Sequence, residues 1–355
     1  MYTKEKTAVS LQPNCVVGIG ASAGGLEALQ EFLTFLPSNT GMAFVIIQHL
    51  APDHKSMLAG ILSKYSAMSV VEIKDGMIIE RNHVYMIPPK YNVELEGDIL
   101  RLREYDLSLI NHPIDIFYRS LAAAYENRSV AVILSGTGSD GASGIRSIKE
   151  QNGVIIVQTP ESAKFDGMPR NAIATGFADM VQKPDSIARE MSHIAASMVD
   201  SNTRFLTSDQ DLMTQVFSIL KNVTNINYTY YKQTTILRRI ERRMVITHSR
   251  NLNEYVSYLT NNPDEVRILA KEVLIGVTNF FRDSEYFDVL KETVVKHILR
   301  TADRDRQIRV WVAGCSTGEE AYSVAILFAE SMEELNLHRD IKIFATDLDG
   351  DSIQT

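Results

Sequence analysis

The sequence predicts an α/β fold: a doubly wound, mainly parallel sheet, then a small all-α segment, then the opening of a second, Rossmann-like sheet. Three observations point to it. From Cys15 to about Ser197, short apolar runs alternate with amphipathic helical stretches, the pattern of a sheet covered by helices. From 209 to 300 the periodicity is helical alone. Beyond 301, strand, glycine turn, helix and strand follow in the order of a doubly wound unit.

The strands expected in the first region are "CVVGIG", "AFVIIQ", "HVYMIP", "VAVILSG" and "GVIIVQ". They are continuous apolar runs rather than alternating ones, so they should be buried on both faces of a parallel sheet. "NVELEGDILRLRE" differs: two alternating runs flank a Glu-Gly-Asp turn and read as a hairpin. From 182 to 211 the pattern becomes helical and polar, and Pro184 with "VDSNTRFLTSDQD" places a linker near its end. The segments expected are a sheet domain at 14–197, a linker at 198–208, a helical domain at 209–300 and an incomplete Rossmann-like domain at 301–355.

A chain of 355 residues has room for two or three cores. Hydrophobic residues make up 45 % and charged residues 23 %, which excludes a disordered or collagen-like chain. The formal charge of −8 argues against nucleic-acid partners, which select a basic surface. Cys15 and Cys315 lie far apart with no C-x-x-C spacing, so neither a disulfide framework nor a zinc knuckle is expected, and a reducing, cytoplasmic setting fits best. The apolar runs fall far short of the roughly 20 residues that span a bilayer, and the N-terminus is too polar for a signal peptide. No membrane insertion is expected. Nothing in the sequence reports an oligomeric state.

Active sites of open α/β sheets collect beyond the carboxyl ends of the strands. Ser22, in "GIGASAGG", follows the first strand and precedes the helix "LEALQEFLTFL"; His49 ends the second run in "VIIQHL"; Asp140 lies in the glycine-rich turn of "VILSGTGSDGA". A serine hydroxyl needs an adjacent base to become a nucleophile, which an imidazole supplies. A carboxylate behind the imidazole fixes its tautomer and stabilises the imidazolium. The turn after Ser22, at Ala23 and Gly24, offers helix N-terminal N–H groups to a developing oxyanion. Each residue has a plainer reading. "GIGASAGG" approaches a dinucleotide fingerprint but carries Ala23 where a third glycine would stand. His49 could be a polar strand end, with His54 replacing it or joining it as a metal ligand, and Asp140 could be a helix cap.

"GIGASAGGLEAL", "IIQHL", "LSGTGSDGASGI" and "VQTPESAKFDGMPRNAIATG" resemble the catalytic domain of CheB-type chemotaxis methylesterases over about residues 14–195. The resemblance puts nucleophile, base and acid on Ser22, His49 and Asp140. It implies hydrolysis of glutamyl methyl esters on chemoreceptor signalling helices, deamidation of receptor glutamines in related members, and no cofactor. Thr137 stands where the family often has methionine, at a turn whose backbone helps bind the oxyanion. Asp166 and Met168 are expected at the rim. Only about 14 residues precede the domain, so control by an attached receiver domain is not expected.

Arg238, Arg239, Arg242 and Arg243 fall on one helical stripe within an otherwise acidic chain, beside Ile236, Leu237, Ile240 and Met244. A solvated face is the plain reading. "LIGVTNFFRD", "VWVAGCSTGEEAYSVAI" and "FATDLD" resemble CheR-type chemotaxis methyltransferases over about residues 209–355. That resemblance implies S-adenosylmethionine near Thr278 and Arg282, with Glu320 meeting its ammonium group and Asp347 its ribose. It also implies that the arginine stripe contacts the acidic receptor helix. The sequence stops after the second strand of this domain, so this chain is expected to lack useful methyltransferase activity and to be part of a longer fusion. The competing expectation is a non-catalytic scaffold that binds receptor helices without chemistry.

Overall fold

The computed structural model describes residues 12–48, 58–104, 111–200, 210–274, 276, 278–303 and 306–354. Two compact units divide the chain, 1–263 and 264–355.

The first unit begins with β1 (Val16–Ala21), α1 (Gly25–Phe35), β2 (Ala43–Gln48), α2 (Leu58–Leu62) and β3 (Ser69–Glu72). Then come β4 (Met77–Ile78), β5 (His83–Met86), β6 (Tyr91–Glu96), β7 (Ile99–Glu104), α3 (Pro113–Tyr125) and β8 (Ser129–Ile133). It continues through α4 (Gly144–Glu150), β9 (Val154–Gln158), α5 (Gly167–Ala174), β10 (Met180–Gln182) and α6 (Pro184–Asp200) to α7 (Gln210–Thr224), α8 (Gln233–Ile246) and α9 (Leu252–Asn261).

Seven strands form one parallel sheet in the order β10-β9-β8-β1-β2-β5-β3. The five apolar runs of the sequence are its interior, and β1, β2, β8 and β9 are buried nearly end to end. Successive side chains leave opposite faces. Val17, Ile19 and Phe44 pack with Leu29 and Phe32 of α1 and Met191 of α6, whereas Val16, Val45 and Ile133 pack with Phe117, Tyr118 and Leu121 of α3. The hairpin is present as the antiparallel pair β6 and β7, with β4 on its edge. The edge strands β3 and β10 are absent from the sequence reading. They are short and half-exposed, so they carry no apolar run to announce them.

Gly18 and Gly20 lie inside β1 rather than in a phosphate-binding turn. A Cβ at Gly20 would sit 3.0 Å from the Tyr118 hydroxyl, so the glycine lets α3 lie directly on the strand. That hydroxyl accepts from the Gly20 N–H at 3.1 Å and donates to the Val132 carbonyl at 2.7 Å, tying β1 to β8.

α7, α8 and α9 belong to the first unit, and Val245 of α8 joins the core that α1 and α6 build on the sheet. The expected linker start at 198 falls within α6, and 201–209 lie outside the described residues.

The second unit holds α10 (Pro263–Leu274), α11 (Ser284–Val289), α12 (Lys296–Thr301), β11 (Ile308–Ala313), α13 (Glu319–Glu334), β12 (Ile341–Thr346) and α14 (Gly350–Gln354). β11 and β12 pair in parallel, as expected of the opening of a Rossmann-like sheet. Val312, Val324, Leu299 and Phe328 centre its core.

Candidate active site

β1 lies between β2 and β8, so the chain leaves it toward one side and returns on the other. That reversal is a switch point, where a crevice opens beyond the strand carboxyl ends. Ser22 directly follows β1, and its N–H donates to the Ser135 carbonyl beyond β8 at 3.0 Å. Asp140 follows in the same loop. His49 follows Gln48, the last residue of β2, and with His54 lies outside the described residues.

The turn after Ser22 is fixed by backbone shape. The Gly25 N–H donates to the Ser22 carbonyl at 2.9 Å, and Gly24 stands at φ 68° as N-cap of α1. A Cβ at Gly24 would lie 2.7 Å from Cβ of Lys164 and 2.8 Å from Oγ of Ser135, so conformation and space both require glycine. Among the described residues, the amides of Ala23, Gly24 and Thr137 have no acceptor. Helix N-termini of this kind attract negative charge.

Ser135 went unnoticed in the sequence and organises the site. Its Oγ donates to the Ala23 carbonyl at 2.9 Å and accepts from the Phe165 N–H at 3.0 Å, while its N–H donates to Gln158 Oε1 at 2.8 Å. It thus joins the serine turn to the 163–166 loop. Gly136 is pressed between Ser22 and Met168: a Cβ there would come within 2.9 Å of Ser22 Cβ and would overlap Met168 Sδ. Met168 is 1 % exposed, which corrects its expected place at the rim; it packs behind Gly136, next to Ser22. Asp166 is partly exposed and pairs with Arg170 at 2.6 Å, and Thr137 is exposed.

Asp140 is buried, and its two oxygens accept from the N–H groups of Ile114 and Asp115, each at 3.0 Å, at the start of α3. It therefore caps a helix, as the plain reading of the sequence had it, though of α3 rather than the helix that follows it in sequence. His112 Nδ1 lies 3.8 Å from its Oδ1. Asp115 returns the arrangement, its Oδ1 accepting from Gly141 at 2.9 Å and Gly144 at 2.6 Å. Burial pushes the Asp115 carboxyl above its ordinary range, and the charge of Asp140 adds to that. His112, Asp115 and Asp140 place ligand atoms within 4.8 Å of one another. Both carboxylates are occupied by backbone amides, so the group reads as a pair of helix caps rather than a cation site.

In the second unit, Thr278, Arg282 and Glu320 line one cavity of about 380 Å³ together with Gly276, Gly314 and Ser316. Asp347 stands beside it: its carboxylate accepts from the N–H groups of Ser316 at 2.7 Å and Asp349 at 2.8 Å. Ser316, absent from the sequence reading, is held by the "AGCSTG" turn.

The arginine stripe needs correction. Arg238 is exposed, but Arg239, Arg242 and Arg243 are 5 %, 4 % and 5 % exposed, so three of the four face protein rather than solvent. Arg239, Arg242 and Arg243 share a covered face from which Arg238 departs, and the spacing carried no sign of that cover.

Three family models match successive parts of the chain. The CheB methylesterase family model matches residues 17–191, the CheR methyltransferase all-alpha domain 211–274, and the CheR methyltransferase SAM-binding domain 276–355. A 104.1 kDa uncharacterised protein of Rhodobacter capsulatus is 36 % identical over 327 residues, covering 84 % of this chain, which spans 34 % of that relative's length. A Leptospira interrogans protein, provisionally named a protein-glutamate methylesterase/protein-glutamine glutaminase, is 34 % identical over 48 % of this chain and 89 % of its own. The crystal structure of the Thermotoga maritima CheB methylesterase catalytic domain matches with a TM-score of 0.49 at 30 % identity, over 51 % of this chain and 98 % of that one. No helix among the described residues is long and apolar enough to cross a membrane. With its sheet domain matched by the first model and its remaining helices and strands by the other two, the chain belongs to the CheB methylesterase family and carries CheR methyltransferase domains later in its sequence.

Proposed function

We propose that the first unit is a serine hydrolase that removes methyl esters from glutamate side chains of chemoreceptors and deamidates receptor glutamines by the same route. The observation that carries the reading is the switch-point crevice, where Ser22 and Asp140 leave adjacent strands and the Ser22 turn presents amides without acceptors. The Ser22 hydroxyl attacks the ester carbonyl as His49 takes its proton, and Asp140 holds the imidazole in the required tautomer. The amides of Ala23, Gly24 and Thr137 face the oxyanion; one such donor contributes about 3–4 kcal/mol to a transition state. Methanol leaves with the proton from His49, or ammonia when the substrate is an amide. Water, deprotonated by His49, then attacks the acyl-enzyme and frees the glutamate and Ser22.

This chemistry needs no cofactor. A fluorophosphonate probe tests it: Ser22 should be the labelled residue in intact protein, and a protein that stays unlabelled supports the scaffold alternative.

For the second unit we propose S-adenosylmethionine as the ligand. The 380 Å³ cavity falls within the range of small-molecule sites and brings a guanidinium and a carboxylate to one mouth, which suits an amino-acid moiety. Arg282 and Thr278 would hold the methionine portion, Glu320 its ammonium group, and Asp347 the ribose hydroxyls. The donor, when bound, supplies the methyl group for esterifying a glutamate. A cytoplasmic location and receptor signalling helices as partners follow from these two readings.

A further inference from the structure

The arginine face of α8 is held within the first unit. Arg242 donates from Nε to the Gly153 carbonyl at 2.8 Å and pairs through Nη2 with the Asp179 carboxylate, while Arg239 donates from Nη1 to the Lys149 carbonyl at 3.1 Å. Asp179, its side chain 1 % exposed, also receives Lys149 Nζ and the Ile155 N–H, each at 2.8 Å. Lys149 lies in the last turn of α4, Gly153 immediately precedes β9, and Asp179 immediately precedes β10. The notch is therefore at the amino ends of these strands, away from the carboxyl-end crevice of Ser22. The helix is seated beyond its arginines as well. Val245 is in the sheet's core, and His193 of α6 meets the Val245 carbonyl through Nε2 at 3.1 Å and stacks on His248 at 4.1 Å.

We propose that the notch formed by Lys149, Gly153 and Asp179 is the binding surface for the arginine face of α8, and that an external acidic helix can take those arginines only by displacing the notch. The dock stands independently of the esterase chemistry; the competition rests on reading α8 as a receptor-contacting helix. Guanidinium groups bound to buried carbonyls and a buried carboxylate cannot also meet an external acid, because their donors point inward. Opening is nevertheless feasible: Lys149 remains to compensate Asp179 when Arg242 leaves, so no buried charge is stranded. Arg238, exposed at the margin, is the one member of the stripe already facing solvent.

Amide hydrogen exchange across α8, measured in the full chain, tests the dock, with Asp179→Asn and Arg242→Met as the variants. A synthetic glutamate-rich helical peptide is the probe for competition. The proposal expects α8 to be protected in the wild type and to exchange at least tenfold faster in both variants. It expects the peptide to bind Asp179→Asn, which retains every arginine, at least tenfold more tightly than the wild type, and Arg242→Met no more tightly. If Asp179→Asn misfolds, seen as a lost cooperative thermal transition by circular dichroism, Arg242→Met still decides the exchange test, since it leaves the notch residues unchanged. Equal exchange of α8 in wild type and Arg242→Met overturns the dock; equal peptide affinity for wild type and a folded Asp179→Asn overturns the competition. Labelling of Ser22 in the wild type tests the esterase reading separately.

Discussion

Asp140 and Asp115 cap each other's neighbourhoods: Asp140 accepts the first N–H groups of α3, and Asp115, one of the residues so capped, accepts the N–H groups of Gly141 and Gly144 leading into α4. Two buried carboxylates are thereby held together by backbone amides, and the candidate acid is fixed in position by the helix it caps. Because burial and Asp140 raise the Asp115 carboxyl, the folded protein binds that proton more tightly than the unfolded chain does. The associated stability is complete below the unfolded value and is lost as pH rises through the raised folded one. Asp115→Asn keeps the Oδ1 acceptor and removes the charge. Its stability relative to wild type should therefore climb as pH rises above the ordinary carboxylate value of about 4, read from urea midpoints. Asp115→Ala, which strands the glycine amides, should cost about 1–3 kcal/mol throughout.

Ser135→Ala removes the hydroxyl that joins the Ala23 carbonyl to the Phe165 amide. The serine turn then keeps only the main-chain links from Ser22 to Ser135 and from Gly136 to Phe165. Ester hydrolysis should fall about ten- to hundredfold, mostly in kcat, because displacement of a nucleophile by a fraction of an ångström is costly. The overall fold, followed by circular dichroism, should persist.

Gly136 and Met168 share one volume. Gly136→Ala should push Met168 or Ser22 out of place and suppress hydrolysis. Adding Met168→Ala should recover much of that activity, while Met168→Ala alone should leave a cavity and cost about 2–5 kcal/mol. Rates and midpoints of the two single variants and the double variant give the coupling directly.

Tyr118→Phe leaves a buried N–H at Gly20 and a buried carbonyl at Val132 without their bridge. A loss of about 1–3 kcal/mol is expected, with kcat changed little, since the hydroxyl lies under β1 rather than at the crevice.

The sheet was legible because its interior strands are unbroken apolar runs such as "AFVIIQ", and the switch point because Ser22 and Asp140 each follow one of those runs. β10 was not legible: three residues, one of them the 41 % exposed Val181, carry no burial signal. The carboxylate Asp115 and the hydroxyl Ser135 act through contacts 25 or more residues away in the chain, so local spacing cannot reveal them. For α8 the helix was legible and the environment of its arginines was not. A stripe of arginines has the same sequence whether water or Asp179 receives it, and only the tertiary contact distinguishes the two.

Release of methanol from a methylated receptor tests the central claim most directly, comparing wild type with Ser22→Ala at equal folded concentration. The rate of the variant should fall by about four orders of magnitude or more, leaving only what binding and the oxyanion amides supply. Methanol release by Ser22→Ala at the wild-type rate would contradict it.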